Sequence, residues 1–412
     1  MTSDRSAPAR RPLEGVRIVD LTTMILGPMA TQYLGDQGAD VIKIEEPEGD
    51  LTRYIGPQRH PAMAAFYLNS NRNKRSVVLD IKRPEGQEVL HKLLDGADVL
   101  LHSIRTPSAR RLGLGYDQLC ERYPKLVVCH AQGYSERGAY AGMPAYDDVI
   151  QAASGLAMLQ SVVAGEPRFV PSVIADKVSA VHCAFAVMAA LMQRVGTGQG
   201  QDVVIPMMET MVAFNTVEHL WGAIFEPPLA PMGYVPVSQA SRRPFATLDG
   251  HVCVLPYTDH HWARFCKIVG DDALTNDERW RTHNARQKDL AGFYAEIGRR
   301  VAQRTTEDWV AQLSAADVPY SRVNALQDLL TEPHLVSSGF WRTMEHPTEG
   351  TLRYPSPFME IASVPDRAPR HAPGLGEHTS EILRELGLDA DRIATLHESG
   401  VTRARIKAPA AA

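Results

Sequence analysis

A chain of 412 residues exceeds one average domain, and its 44% hydrophobic and 22% charged residues are those of a soluble globular protein with a large core. Its 43 lysines and arginines against 48 aspartates and glutamates give a net charge of −5, which speaks against a nucleic-acid partner while leaving room for a local basic pocket. Cys120, Cys129, Cys183, Cys253 and Cys266 form no CxxC pair and read as structural thiols in a reduced, cytoplasmic compartment.

In chain order, residues 1–11 carry no apolar segment and read as a disordered leader, not a signal peptide. GVRIVDLT (15–22) predicts a buried strand, and a helix follows from Pro28 to a glycine stop at Gly38. DVIKIE (40–45) and SVVLDI (76–81) are further strands. Pro84 starts a helix with Val89, Leu90, Leu93 and Leu94 on one face, ending at Gly96; DVLLHS and KLVVCHA are two more strands. Strand–helix alternation at this spacing predicts parallel βαβ units with ligands at the carboxyl ends of the strands.

Helices are then expected at 147–159, at 176–194 and at 203–220, the last broken only by Pro206. The apolar run 178–192 is interrupted by Ser179 and His182, too short for the roughly 18 residues of a membrane span, so no membrane is expected. A proline-rich linker covers 226–236. A hairpin turning at Asp249-Gly250 and helices at 259–269, 290–304 and 306–316 suggest a smaller α+β domain. Strands in TLRYPSPFME, a final helix HTSEILRELG and a disordered tail KAPAAA close the chain. The expected division is 12–225 for the first part of a large αβ domain, 226–333 for the linker and small domain, and 334–412 for a return to the large domain.

No GxGxxG follows the first strand, where the turn reads TTMILGP, and no Walker A, HExxH or GxSxG string occurs. The histidines, His260-His261 included, lack metal-ligand spacing, so no metal is expected. Asp176 opens the long apolar helix, where free backbone N–H groups favour an anion; on local grounds it reads as a cap.

Ordered strings carry more. GVRIVDLTTMILGP, LGDQGADVIKIE, NRNKRSVVLDIKRPEG, ADVLLHSIR, GLGYDQL, the stretch GYSERGAYAGMPAYDDVIQAASGLAML, the stretch from PSVIADKVSAVHC to DVVIPMME, and APGLGEHTSEILRELGL follow one another from about residue 12 to 401. Together they resemble the class III (CaiB/BaiF-type) CoA-transferases, a family that also holds 2-methylacyl-CoA racemases. The resemblance implies an α/β fold with a Rossmann-like large domain built from both chain ends, a smaller α+β domain, and an interlocked homodimer. It implies coenzyme A as cosubstrate with no tightly bound cofactor, and an acyl-CoA and a carboxylic acid as partners.

It also implies that Asp176 attacks the thioester. CoA contacts carried over from the family fall on Ile25, Leu26, Leu79, Asp80, Ile81, Lys82, Ser103, Ile104, Arg105, Arg111, Ala131, Gln132, Gly133 and Tyr134, with Lys82 and Arg111 as the phosphate partners. Some positions depart from the family. Ile25 stands where some relatives carry glutamine, and Glu46, an anion that would repel phosphate, stands where an arginine can meet CoA. Ser103-Ile104 replaces an asparagine-phenylalanine pair, and the glycine-rich lid of the oxalate-type enzymes has no counterpart, which speaks against oxalate. The racemases pair the aspartate with a histidine; here Tyr146 takes its place, a poor second base. Racemase is therefore the alternative to CoA transfer, and a non-catalytic acyl-CoA-binding protein the second. Arg53, Arg242 and Arg243 are candidate partners for the far carboxylate of a dicarboxylic acceptor.

Overall fold

The computed structural model describes residues 10–404 except 358, 360, 363 and 365. Most of the leader, the KAPAAA tail and two positions of the TLRYPSPFME segment lie outside the described residues.

Six strands form a parallel sheet: β1 (Arg17–Leu21), β2 (Asp40–Glu45), β3 (Lys74–Leu79), β4 (Val99–His102), β5 (Val127–Gln132) and β6 (Asp202–Pro206). Their spatial order is 3-2-1-4-5-6, and the short strand Thr402–Arg403 adds antiparallel to β3 from the far end of the chain. In register, Ile18 and Val19 of β1 lie between Val41 and Ile42 of β2 and Val99 and Leu100 of β4. The strand order reverses between β1 and β4, so the loops leaving their carboxyl ends diverge and open a crevice.

The helices as far as residue 219 are, in chain order, α1 (Leu26–Asp36), α2 (Ala65–Ser70), α3 (Pro84–Leu94), α4 (Thr106–Arg111), α5 (Tyr116–Leu119), α6 (Asp147–Ala153), α7 (Leu156–Leu159), α8 (Ser161–Ala164), α9 (Ile174–Thr197) and α10 (Met207–His219); Thr379–Glu385 and Ala390–Glu398 are helical near the C-terminus. Proline sits in the first turn of α3, where its missing N–H costs nothing. Val89, Leu90, Leu93 and Leu94 of α3 are buried against the sheet in one core cluster with Ile382, Leu383, Ile393 and Leu396. The C-terminal helices thus complete the core begun by the N-terminal strands.

One expectation is corrected. Residues 203–220 are not one helix: Asp202–Pro206 is strand β6, and Pro206, which cannot donate in a helix interior, marks the switch into α10. Helix α9 spans 24 residues, and an 18-residue window of it has a mean hydropathy of 1.5, enough by length and composition only to cross a membrane; the core helix of a globular protein has the same character, and 44% of that window is buried.

The chain divides into two compact units. One comprises the residues up to Ser154, Phe169–Phe214 and Gly339 onward; the other comprises Gly155–Arg168 and Asn215–Ser338. In the second, Phe245–Ala246 pairs antiparallel with His251–Val254 across the Asp249-Gly250 turn, and His251–Val254 pairs with Tyr320–Arg322. Its core is aromatic: Trp262, Phe265, Trp280, Phe293 and Trp309 pack together.

Candidate active site

A cavity of about 390 Å³ opens in the first unit at the carboxyl ends of β1, β4 and β5. After β1 come Thr23, Met24 and Leu26. After β4 come Ser103, Ile104, Arg105 and Thr106. From the end of β5 come Ala131, Gln132, Gly133 and Tyr134; Glu136, Gly142–Tyr146 and Asp176 complete most of the wall. A Cβ on Gly133 would lie 2.4 Å from that of Ala145, so only glycine lets the 142–146 loop close down here.

The turn after β1 is held from beneath by buried charges. Asp20 accepts from the Thr22 N–H at 2.9 Å, and Lys43 Nζ donates to the Thr22 carbonyl at 2.8 Å. Asp50 takes the Met24 N–H at 3.3 Å, and Lys74 Nζ donates to the Pro28 carbonyl at 2.8 Å. The ion pairs Lys43–Asp50 and Lys74–Asp20 are fully buried. Burial alone would raise the Asp20 pKa, but Lys74 and Lys43 outweigh it and bring it to about 2; burial lowers Lys74 to about 8 against the pull of Asp20. Met24 keeps a φ of 67°, a left-handed conformation unusual for a side chain of its size. Four clamped backbone groups hold it there.

Asp176 lies in the first turn of α9, partly buried. It does not cap: the N-cap position is Val173, with no side-chain cap. Instead its own N–H donates to Asp147 Oδ1 at 3.0 Å. Burial, and after it the charge of Asp147, pushes the Asp176 carboxyl up to about 7. It is a carboxylate poised between its two forms near neutral pH, facing a cavity. Asp147 is buried at the start of α6, and Gln151 donates to its second oxygen at 2.6 Å. Sequence reading compared Tyr146 with a histidine and passed over its neighbour; the only signal was the acidic pair in AYDD.

Of the residues expected to meet CoA, the cavity brings together Leu26, Ser103, Ile104, Arg105, Ala131, Gln132, Gly133 and Tyr134 with Asp176. Ile25, Leu79, Asp80, Ile81, Lys82 and Arg111 are not part of its lining. Leu79 and Ile81 pack in the core beneath α3, and Ile25 is buried. The Asp80 carboxylate accepts the Lys82 N–H at 3.0 Å. Lys82 pairs with Glu46 at 2.6 Å, both exposed. Arg111 donates to Ser108 Oγ at 2.8 Å. Arg105, exposed at the rim, is the cation that faces the cavity among the lining residues. Residues 142–145 and Glu136 were missed because their strings carry no ligand-type signal.

Arg53 is corrected as an acceptor contact. It is fully buried, forks onto Glu45 with two bonds of 2.7 Å, and lies 3.7 Å over the Tyr67 ring. A guanidinium so occupied has no free edge for a substrate. Arg242 and Arg243 are exposed in the second unit. Cys129 of β5 and Cys183 of α9 are buried with sulfurs 3.6 Å apart. Among the described residues no group of three or more histidines, cysteines or acidic residues is placed to hold a metal.

Residues 13–379 match the family model described as CoA-transferase family III. The chain is 31% identical over 395 residues to human succinyl-CoA:glutarate CoA-transferase, covering 95% of this chain and 90% of that one. It is 30% identical over 391 residues to the succinate–glutarate CoA-transferase of Agrobacterium fabrum, covering 92% and 97%. A crystal structure of a CaiB/BaiF family protein from Brucella suis superposes with a TM-score of 0.79 at 27% identity, covering 92% of this chain and all (100%) of that one. With a strand-end cavity and a matching family model over most of its length, the chain belongs to CoA-transferase family III.

Proposed function

We propose that this protein moves CoA from an acyl-CoA of the succinyl type to a carboxylic acid acceptor, a dicarboxylate of four or five carbons, with Asp176 as the nucleophile. The observation that carries the reading is a partly buried aspartate facing a strand-end cavity and raised to about 7 by burial and Asp147. The ionised Asp176 attacks the thioester carbonyl; the C–S bond breaks and CoA leaves as thiolate, giving a mixed anhydride. The thiolate then attacks the aspartyl carbonyl and displaces the first acid as carboxylate. The acceptor carboxylate attacks the resulting aspartyl thioester, and the expelled thiolate takes the new acyl group, returning Asp176 as carboxylate. No proton is gained or lost over the cycle. Arg105 at the cavity rim is suited to a CoA phosphate.

The dicarboxylate acceptor is supported by the two relatives named for succinate and glutarate. Racemisation is the weaker reading: it needs a second base across the substrate, and the residue in that place, Tyr146, is a phenol. The test is a CoA-exchange assay from succinyl-CoA against dicarboxylates and monocarboxylates of matched length, beside a 2-methylacyl-CoA sample in deuterated solvent. The reading expects transfer favouring dicarboxylates. Deuterium incorporation without any acceptor would replace it with the racemase reading.

A second copy of this chain is part of the proposal. Val181, Phe185, Met188, Met192 and Val195 form a stripe at three- and four-residue spacing along α9 and are 36–84% exposed. A homodimer in which the partner covers this stripe suits it, and the family resemblance supports an interlocked form.

A further inference from the structure

One buried side chain ties α6 to the segment that leads into α9. Gln151 is fully buried, and its carboxamide bonds in two directions. One turn earlier on α6, Asp147 Oδ2 accepts from its Nε2 at 2.6 Å. Toward the segment before α9, the same nitrogen donates to the Ser172 carbonyl at 3.2 Å and the Val170 carbonyl at 3.5 Å, while Oε1 accepts the Val170 N–H at 2.9 Å. Asp147 Oδ1 then takes the Asp176 N–H at 3.0 Å. Gln151 is not among the cavity-lining residues, so it meets substrate only through these neighbours.

We propose that Gln151 is a positioning residue for Asp176, its amide fixing at once the stance of Asp147 and the backbone from which the first turn of α9 starts. The inference rests on the reading of Asp176 as the nucleophile. Two carboxylates in one partly dry place repel each other, so their spacing has to be set by a neutral group that donates to one of them. An amide does this and also accepts from the backbone; a carboxylate adds a third negative charge, and an apolar side chain leaves Asp147 Oδ2 without this donor. Other charged or titratable groups are near. Tyr146, the residue before α6, is exposed and lines the cavity, Asp148 on α6 is exposed, and Lys177 on α9 donates to Ser172 Oγ at 2.8 Å. Arg105, Glu136 and Tyr134 lie on the cavity wall, to which α1 contributes Leu26.

The test compares Gln151→Met, Asp147→Asn and the double variant with wild type, using succinyl-CoA with glutarate across pH 5 to 9. Readouts are kcat, KM for the CoA ester, and hydroxylamine trapping at Asp176. Gln151→Met is expected to lower kcat about ten- to a hundredfold with KM within about threefold, the size of loss that follows misplacing a reacting group. Its acid limb should move toward lower pH, because a released Asp147 turns outward and repels Asp176 less. The double variant should lose little beyond Asp147→Asn alone, since both act through one carboxylate. Should Gln151→Met fail to fold, Gln151→Asn, one methylene short of spanning both partners, takes the same readouts. Unchanged kcat, an unmoved acid limb or full additivity would overturn the proposal for Gln151 alone. Absence of trapping at Asp176 in active wild type would instead remove the nucleophile reading on which it rests.

Discussion

At the scale of single residues, Asp176 has opposite consequences for stability and for reactivity. Its carboxyl rises from 3.8 to about 7 on folding, so the folded chain holds its proton more tightly than the unfolded chain does. Ionisation then costs stability: the penalty is absent below pH 4, grows between 4 and 7, and is complete above 7. Asp176→Asn should therefore abolish transfer yet melt higher than wild type at pH 8, by the order of a few kcal/mol, with the gap closing toward pH 4. Calorimetry of the two proteins across that range checks the sign. In the proposed mechanism the anion attacks, so wild-type kcat should fall as pH drops below about 7. Asp147→Asn removes one of the two causes of the rise and should extend activity downward by about one pH unit, read from the kcat profile. The position of Asp176 was legible in its motif. Its environment was not, because burial and a neighbour 29 residues away in sequence are set by how α6 packs on α9.

Among the elements, the strands and their loops divide into those that build and those that bind, a distinction that residue type alone does not reveal. Arg53 and Arg105 illustrate it. Each is an arginine in the connection after a strand, yet the first, in the 3₁₀ turn Leu51–Tyr54, is buried on Glu45 and the second lines the cavity. Arg53→Met should cost about 3–5 kcal/mol, since Glu45 is left as an unpaired buried charge; denaturant unfolding measures it. Arg105→Ala should leave stability near wild type and raise KM for the CoA ester roughly tenfold, with kcat little changed. Sequence reading placed the strands, α3 and the loop after β4 correctly because apolar runs and proline signals are local. It expected Leu79, Ile81 and Lys82 at the ligand; in the fold Leu79 and Ile81 pack in the core and Lys82 forms an exposed pair with Glu46. Apolar residues at a strand end look alike whether they face a core or a cofactor.

For the molecule as a whole, the order 3-2-1-4-5-6 explains how a chain without GxGxxG after its first strand still places its cavity where β1 and β4 part. A buried ionic cluster, not a glycine loop, shapes the first turn. The exposed stripe on α9 carries a prediction for the proposed homodimer: wild type should sediment as a dimer and Phe185→Asp with Met192→Asp as monomer or aggregate. The central claim concerns Asp176 and is tested most directly by trapping. Protein incubated with succinyl-CoA and hydroxylamine, digested and mapped by mass, should carry a hydroxamate on Asp176. Modification of another carboxylate, or an unmodified Asp176 in protein that still transfers CoA, would contradict it.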